Sequence, residues 1–220
     1  MIHDLAVRLA STLSAELKTT RPQAVMAYGM EIIIGALVKL ACFVALPLAL
    51  GILPQVAAAL LAGSAFRLAA GGAHCTAFYR CLASSLAVFC GLGFLARYLG
   101  SYSLPLEMIV AGTAVLSLLI VLRLAPADTP AKPITNPVYR KRLKMISLAV
   151  ITTYTMVMLS APLSAGIVLA ASFGLLTQVF TVTPFGYRLI DVVDRLLLKI
   201  HLLLTTKANP PLRGLRKKEV

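Results

Sequence analysis

Six long apolar runs follow one another along this chain, at about 31–52, 53–70, 82–98, 104–122, 145–161 and 163–183. Each is close to the ~17–25 residues that an α-helix needs to cross a ~30 Å hydrocarbon layer. Within such a layer a backbone satisfies its N–H and C=O groups only as a helix or a closed barrel. Runs of this length therefore predict an all-α, polytopic membrane fold with six spans. Composition agrees. Of 220 residues 59% are hydrophobic and 13% charged, too little polar surface for a soluble domain of this size. The second run carries Pro54 and Gly63 and ends in Gly71-Gly72. It reads as the short, kinked or re-entrant one.

The ends of the chain are amphipathic. In segment 1–21, Ile2, Leu5, Ala6, Leu9, Leu13 and Leu17 recur at helical spacing, and Asp4, Arg8, Ser11 and Lys18 lie between them. This is the pattern of a helix lying in the interface, ended by Arg21-Pro22. With acids and no continuous apolar core, it does not resemble a cleavable signal peptide. Segment 187–204 is interrupted by Arg188, Asp191, Asp194, Arg195, Lys199 and His201, which predicts a second interfacial helix rather than a seventh span. Residues 205–220, with Asn209-Pro210-Pro211, read as a disordered basic tail. The chain is thus expected to be one membrane-embedded domain, 1–220, with its spans at 31–183.

The formal charge is +13, from 21 Lys and Arg against 8 Asp and Glu. In a soluble protein that excess points to nucleic acid. Here the basic residues flank the apolar runs, before the first (Arg8, Lys18, Arg21), after the second (Arg67, Arg80), around the loop after the fourth (Arg123, Lys132, Arg140–Lys144) and after the sixth. The opposite loops carry almost none apart from Arg97. The pattern reads as a positive-inside signal and contact with anionic lipid, not nucleic-acid binding. It places both termini and the 67–81 segment on the cytoplasmic side.

Segment 67–81, Arg-Leu-Ala-Ala-Gly-Gly-Ala-His-Cys-Thr-Ala-Phe-Tyr-Arg-Cys, concentrates reactive groups between two apolar runs. Polar groups at a membrane edge are costly and tend to be functional. A cysteine attacks as thiolate, and its ordinary pKa of ~8.5 calls for a base or a positive neighbour. His74 is the candidate base, Cys81 the candidate nucleophile, and Arg67 and Arg80 are positive neighbours. In one straight helix, seven residues rise about 10.5 Å, too far for a base and nucleophile that must come within ~3 Å. Joint action of His74 and Cys81 therefore requires a bend, and Gly71-Gly72 permits one. The bland alternative is a buried cysteine and a histidine bonded to a backbone carbonyl. Cys42, Cys75 and Cys90 read as small apolar packing. The four cysteines form neither a disulfide framework nor a CxxC pair. A metal site on His74, Cys75 and Cys81 lacks an evident fourth ligand, so neither metal nor cofactor is expected.

The pattern Arg67-x3-Gly71-Gly72-x-His74-x6-Cys81 resembles the motif of the accessory gene regulator B (AgrB) family of membrane endopeptidases. Tyr28-Gly29-Met30-Glu31 before the first span and Ala125-Pro126-Ala127-Asp128-Thr129-Pro130-Ala131-Lys132-Pro133-Ile134 after the fourth are similar to two further family segments. The resemblance covers nearly the whole chain. It implies a thiol protease that processes the precursor of a cyclic quorum-sensing signal, with Cys81 as nucleophile and His74 as base. Cys81 would form a thioester with the precursor, and a precursor cysteine would displace it to close a thiolactone, or a serine a lactone. The implied substrate has an amphipathic leader and an acidic tail, the implied site is a bacterial cell membrane, and the implied assembly is a homodimer. Cys75, directly after His74, departs from the small residue expected there.

Other residues keep two readings. Arg67 is either a helix-end anchor or a ligand for substrate acids or the oxyanion. Glu31 is either a solvated helix end or the group that orients His74. Lys132 and the 140–144 cluster are either topology and lipid contacts or a docking site for the precursor. Lys39, inside the first run, must face protein or water, and its role is open. A rival function is a non-enzymatic exporter or channel for a small peptide, with 67–81 as its gate.

Overall fold

The structure is a computed structural model and describes residues 2–17, 23–127 and 134–208. Eight helices account for most of them: α1 (Ile2–Leu17), α2 (Gln23–Ala49), α3 (Leu53–Ala70), α4 (Phe78–Leu99), α5 (Leu106–Leu124), α6 (Pro137–Ser160), α7 (Ala165–Thr181) and α8 (Pro184–Ala208). Helices α2 to α6 are each long and apolar enough to cross a membrane, and α7, with the 91° bend into α8 at its end, brings the number to six. The all-α expectation holds. Large apolar side chains remain exposed along the spans, among them Leu37, Leu61, Met108, Leu119 and Met156, as suits surfaces that face lipid tails.

The most enclosed helix is α7, which contacts α3, α4, α5 and α8. Its approach to α3 depends on small residues. A Cβ on Gly63 would meet the Gly174 carbonyl oxygen at 2.9 Å, and one on Gly174 would overlap the Ala59 backbone. Lipid offers no hydrophobic drive between helices, so such close backbone packing is what holds spans together. The second span is short, 18 residues, but the sequence expectation of a kink or re-entrant break is corrected here. Pro54 sits in the first turn of α3, where its missing N–H costs nothing, and Gly63 serves the α7 contact. α3 runs unbroken from Leu53 to Ala70.

The two amphipathic end segments are helical, as α1 and α8. α1 packs on α2 with Ala6 and Ala10 fully buried. α8 leaves α7 at 91° and carries Arg188, Asp191, Asp194, Arg195 and Lys199. Arg97, near the end of α4, donates from Nη1 to the Gly51 carbonyl at 2.8 Å after the end of α2. Lys18, Arg21, Pro22, Lys132 and the 209–220 tail lie outside the described residues.

Replacing Gly174 with Leu is expected to destabilise the fold by about 1–3 kcal/mol, the usual range for overpacking. Gly112→Leu, where a Cβ meets nothing within 4 Å, is expected to be neutral. Thermal unfolding of the two variants in detergent checks the difference.

Candidate active site

The chain between α3 and α4 is not helical over residues 71–77. Gly71 and Gly72 have φ of +74° and +123°, values that residues with a side chain rarely adopt. Space demands glycine too: a Cβ on Gly71 would meet the Ala127 carbonyl oxygen at 2.5 Å, and one on Gly72 would strike Thr181 Oγ1. The bend that the His74–Cys81 spacing requires is therefore present.

Arg67 holds this bend. Its Nη1 donates to Gln178 Oε1 at 2.9 Å and Thr181 Oγ1 at 3.4 Å, and its Nη2 donates to the carbonyls of Ala73 at 2.7 Å and Gly72 at 3.4 Å. Both terminal nitrogens are thus committed to the protein, as a clamp between the loop and α7. The loop backbone closes the remaining gaps. Ala73 N donates to Thr181 O at 3.0 Å, and Ala127 N to Ala70 O at 2.9 Å. The latter bond brings the start of the proline-rich segment, Ala125–Ala127, against the glycine pair.

Cys81 lies in the first turn of α4, where its N–H makes the opening bond to Ala77 O at 3.0 Å. Ala77 offers no side-chain cap, so the amides of residues 78–80 have no intrahelical acceptor, and the positive end of the helix favours an anion nearby. The thiol is half-buried. Lys39 of α2 reaches its Sγ at 3.9 Å. Arg80, expected to support the thiolate, instead donates from Nε to Asp194 Oδ1 at 2.7 Å. Thr76 joins that pair, donating to Asp194 Oδ2 at 2.7 Å. The Arg80 guanidinium, with Thr76, holds the Asp194 carboxyl at about 2. Arg80 is thereby neutralised within the protein and ties α8 to the start of α4.

The second thiol differs. Cys75 is buried, with Sγ 3.6 Å from Ser84 Oγ. Burial pushes its pKa up, so it is less available as thiolate. His74 is exposed, and its Nδ1 lies 2.9 Å from the Cys75 carbonyl oxygen. A carbonyl only accepts, so Nδ1 carries a proton, and in the neutral ring this puts the lone pair on Nε2, the tautomer a general base needs. No hydrogen bond joins His74 to Cys81 here. Glu31 does not reach His74 either: its Oε2 lies 3.2 Å from His3 Nδ1 of α1. Among the described residues no cluster of His, Cys, Asp or Glu has a metal-binding arrangement.

Sequence reasoning missed Gln178, Thr181, Thr76 and Asp194 as supports of this loop. A signal existed for Gln178, a lone amide in an apolar span, since buried polar groups need partners. The Asp194–Arg80 pairing spans 114 positions and left no local trace.

The family model of accessory gene regulator B, AgrB, matches residues 6–182. The chain belongs to the AgrB family. An AgrB-like protein 2 of Clostridium perfringens (strain 13 / Type A) is 26% identical over 207 residues, covering 88% of this chain and 97% of that protein. An AgrB-like protein of Listeria welshimeri is 31% identical over 166 residues, 74% of this chain and 78% of its own. No solved structure gives a significant match. The AgrB match takes in both motif segments that meet at Gly71 and Ala127.

Arg67→Lys is expected to loosen the loop, because a single ammonium cannot span the four acceptors. Cys75 should then react faster with a thiol reagent than in the parent protein, measured by mass spectrometry of the labelled peptide. The Asp194 carboxyl, depressed to about 2, contributes stability that is present above the unfolded value of ~3.9 and fades as pH falls toward 2. Asp194→Asn should lower the thermal midpoint from pH 5 to 8 and flatten the acid limb of the profile.

Proposed function

We propose that the protein is a membrane cysteine endopeptidase that processes the precursor of a cyclic quorum-sensing peptide. The placement of Cys81 carries this reading: its thiol sits at the open start of α4 beside Lys39 Nζ at 3.9 Å, whereas Cys75 is buried against Ser84. Membership in the AgrB family supports it. The sulfur of Cys81 attacks the carbonyl at the C-terminal edge of the future signal. The thiol proton passes to His74 Nε2 and then to the leaving amine as the C–N bond breaks, releasing an acidic C-terminal segment. A thiol of the precursor next displaces Cys81 from the thioester, which closes the thiolactone and regenerates the enzyme. A serine hydroxyl in its place gives a lactone. His74 must swing from the Cys75 carbonyl toward Cys81, which its exposed position allows.

The substrate pairs an amphipathic leader, suited to the interface beside α1 and α8, with an acidic tail, suited to the basic cytoplasmic loops. Lys132 and the 140–144 cluster are its docking groups. Both termini and the active site face the cytoplasm of a bacterial cell, and the protein works as a homodimer.

Cys81→Ala in membranes supplied with a precursor should abolish cleavage, by about 10³-fold or more for loss of a nucleophile, while the protein still inserts. Unimpaired processing would overturn the peptidase and favour an exporter. Cys75→Ala should keep most activity, and its loss there would move the nucleophile. A membrane-impermeant thiol reagent should reach Cys81 from the cytoplasmic side; reaction from the outside alone would reverse the topology.

A further inference from the structure

We infer that Lys39 is a further catalytic residue, whose ammonium stabilises the anionic form of the Cys81 sulfur. Lys39 lies well inside α2, where a charge on a spanning helix is costly unless it is partnered. Its partners are two groups of the first turn of α4: Cys81 Sγ at 3.9 Å and the Phe78 ring, with Nζ 5.7 Å from the centroid. α2 is shaped for this contact. A Cβ on Gly35 would meet the Phe78 ring at 3.1 Å, so glycine there lets the start of α4 lie against α2, one turn from Lys39. The same face of α2 lines an open groove of about 410 Å³ with Tyr28, Glu31, Ile32, Gly35, Ala36, Lys39 and Phe78. The one carboxylate of that groove, Glu31, is 3.2 Å from His3 and not bonded to Lys39. Lys39, which lines this groove, is also the residue that reaches Cys81 Sγ.

The other charged and titratable groups around Cys81 have different duties. Arg67 of α3 interacts electrostatically with Cys81, but its terminal nitrogens bond Gln178, Thr181, Gly72 and Ala73. Arg80 is paired with Asp194 of α8, Cys75 is buried, and His74 faces the Cys75 carbonyl. Lys39 is the cation in contact with the sulfur itself. In this role the thiol proton leaves to His74 or to water, no bond forms to Nζ, and Lys39 stays an ammonium throughout.

The catalytic consequence rests on Cys81 being the nucleophile; the ion pair does not. The test is the full-length protein with Cys42, Cys75 and Cys90 replaced by Ala, alkylated at Cys81 by iodoacetamide across a pH series. Lys39→Met and Lys39→Gln should each move the midpoint upward by about one pH unit or more, so that alkylation near neutrality slows about tenfold. Lys39→Arg should restore it, a rescue that a merely structural side chain would not produce. Unchanged midpoints in both neutral variants would overturn the inference even if Cys81→Ala abolishes cleavage. A shifted midpoint with cleavage intact in Cys81→Ala would keep the ion pair and sink the peptidase.

Discussion

The hydrogen bonds of one guanidinium hold the site together. The chain leaves α3, turns through two left-handed glycines and re-enters the bundle as α4, and non-helical backbone beside a membrane survives only where its polar groups find partners. Arg67 answers two of those carbonyls and anchors to Gln178 and Thr181 of α7 with its other nitrogen. Ala73 N bonds Thr181 O, and Ala70 O accepts from Ala127 N. With these contacts made, the loop backbone is tied to α3, α7 and the 125–127 segment, and the start of α4 is set against α2 and α8.

Three further consequences follow from that placement. The Arg80–Asp194 pair with Thr76 secures α8 across the base of α4. The close Gly35–Phe78 approach places Lys39 on the Cys81 sulfur. Cys75 turns inward onto Ser84, which separates two thiols only six positions apart into a packed one and an accessible one. The surroundings of Cys81 thus depend on α2, α3, α4, α7 and α8 together, although segment 67–81 covers only fifteen positions.

The spans were legible because their signal is local. Runs at 53–70, 104–122 and 163–183 meet α3, α5 and α7 within two residues at each end, since length and apolarity are what a bilayer reads. The N-terminal boundaries of α2 and α6 were missed by eight residues each, 31 against Gln23 and 145 against Pro137. Helices continue past the apolar stretch into the interface, where Tyr28, Arg140 and Lys144 lie. The reading of α3 as kinked failed because a glycine marks either a bend or a close contact, and only the partner helix tells which.

By itself the sequence determined that this chain is an all-α membrane protein with amphipathic ends, that residues 71–81 must bend if His74 and Cys81 act together, and which histidine and cysteine stand at that spacing. These follow from periodicity, run length and backbone freedom, all carried by neighbours along the chain. Only the tertiary structure decided that Arg67 is a clamp, that Arg80 is neutralised by Asp194, that Glu31 pairs with His3, and that Lys39 meets Cys81. Each of those depends on which helices touch, at separations of up to 114 positions, and a charge in a membrane takes whichever partner the packing brings within reach.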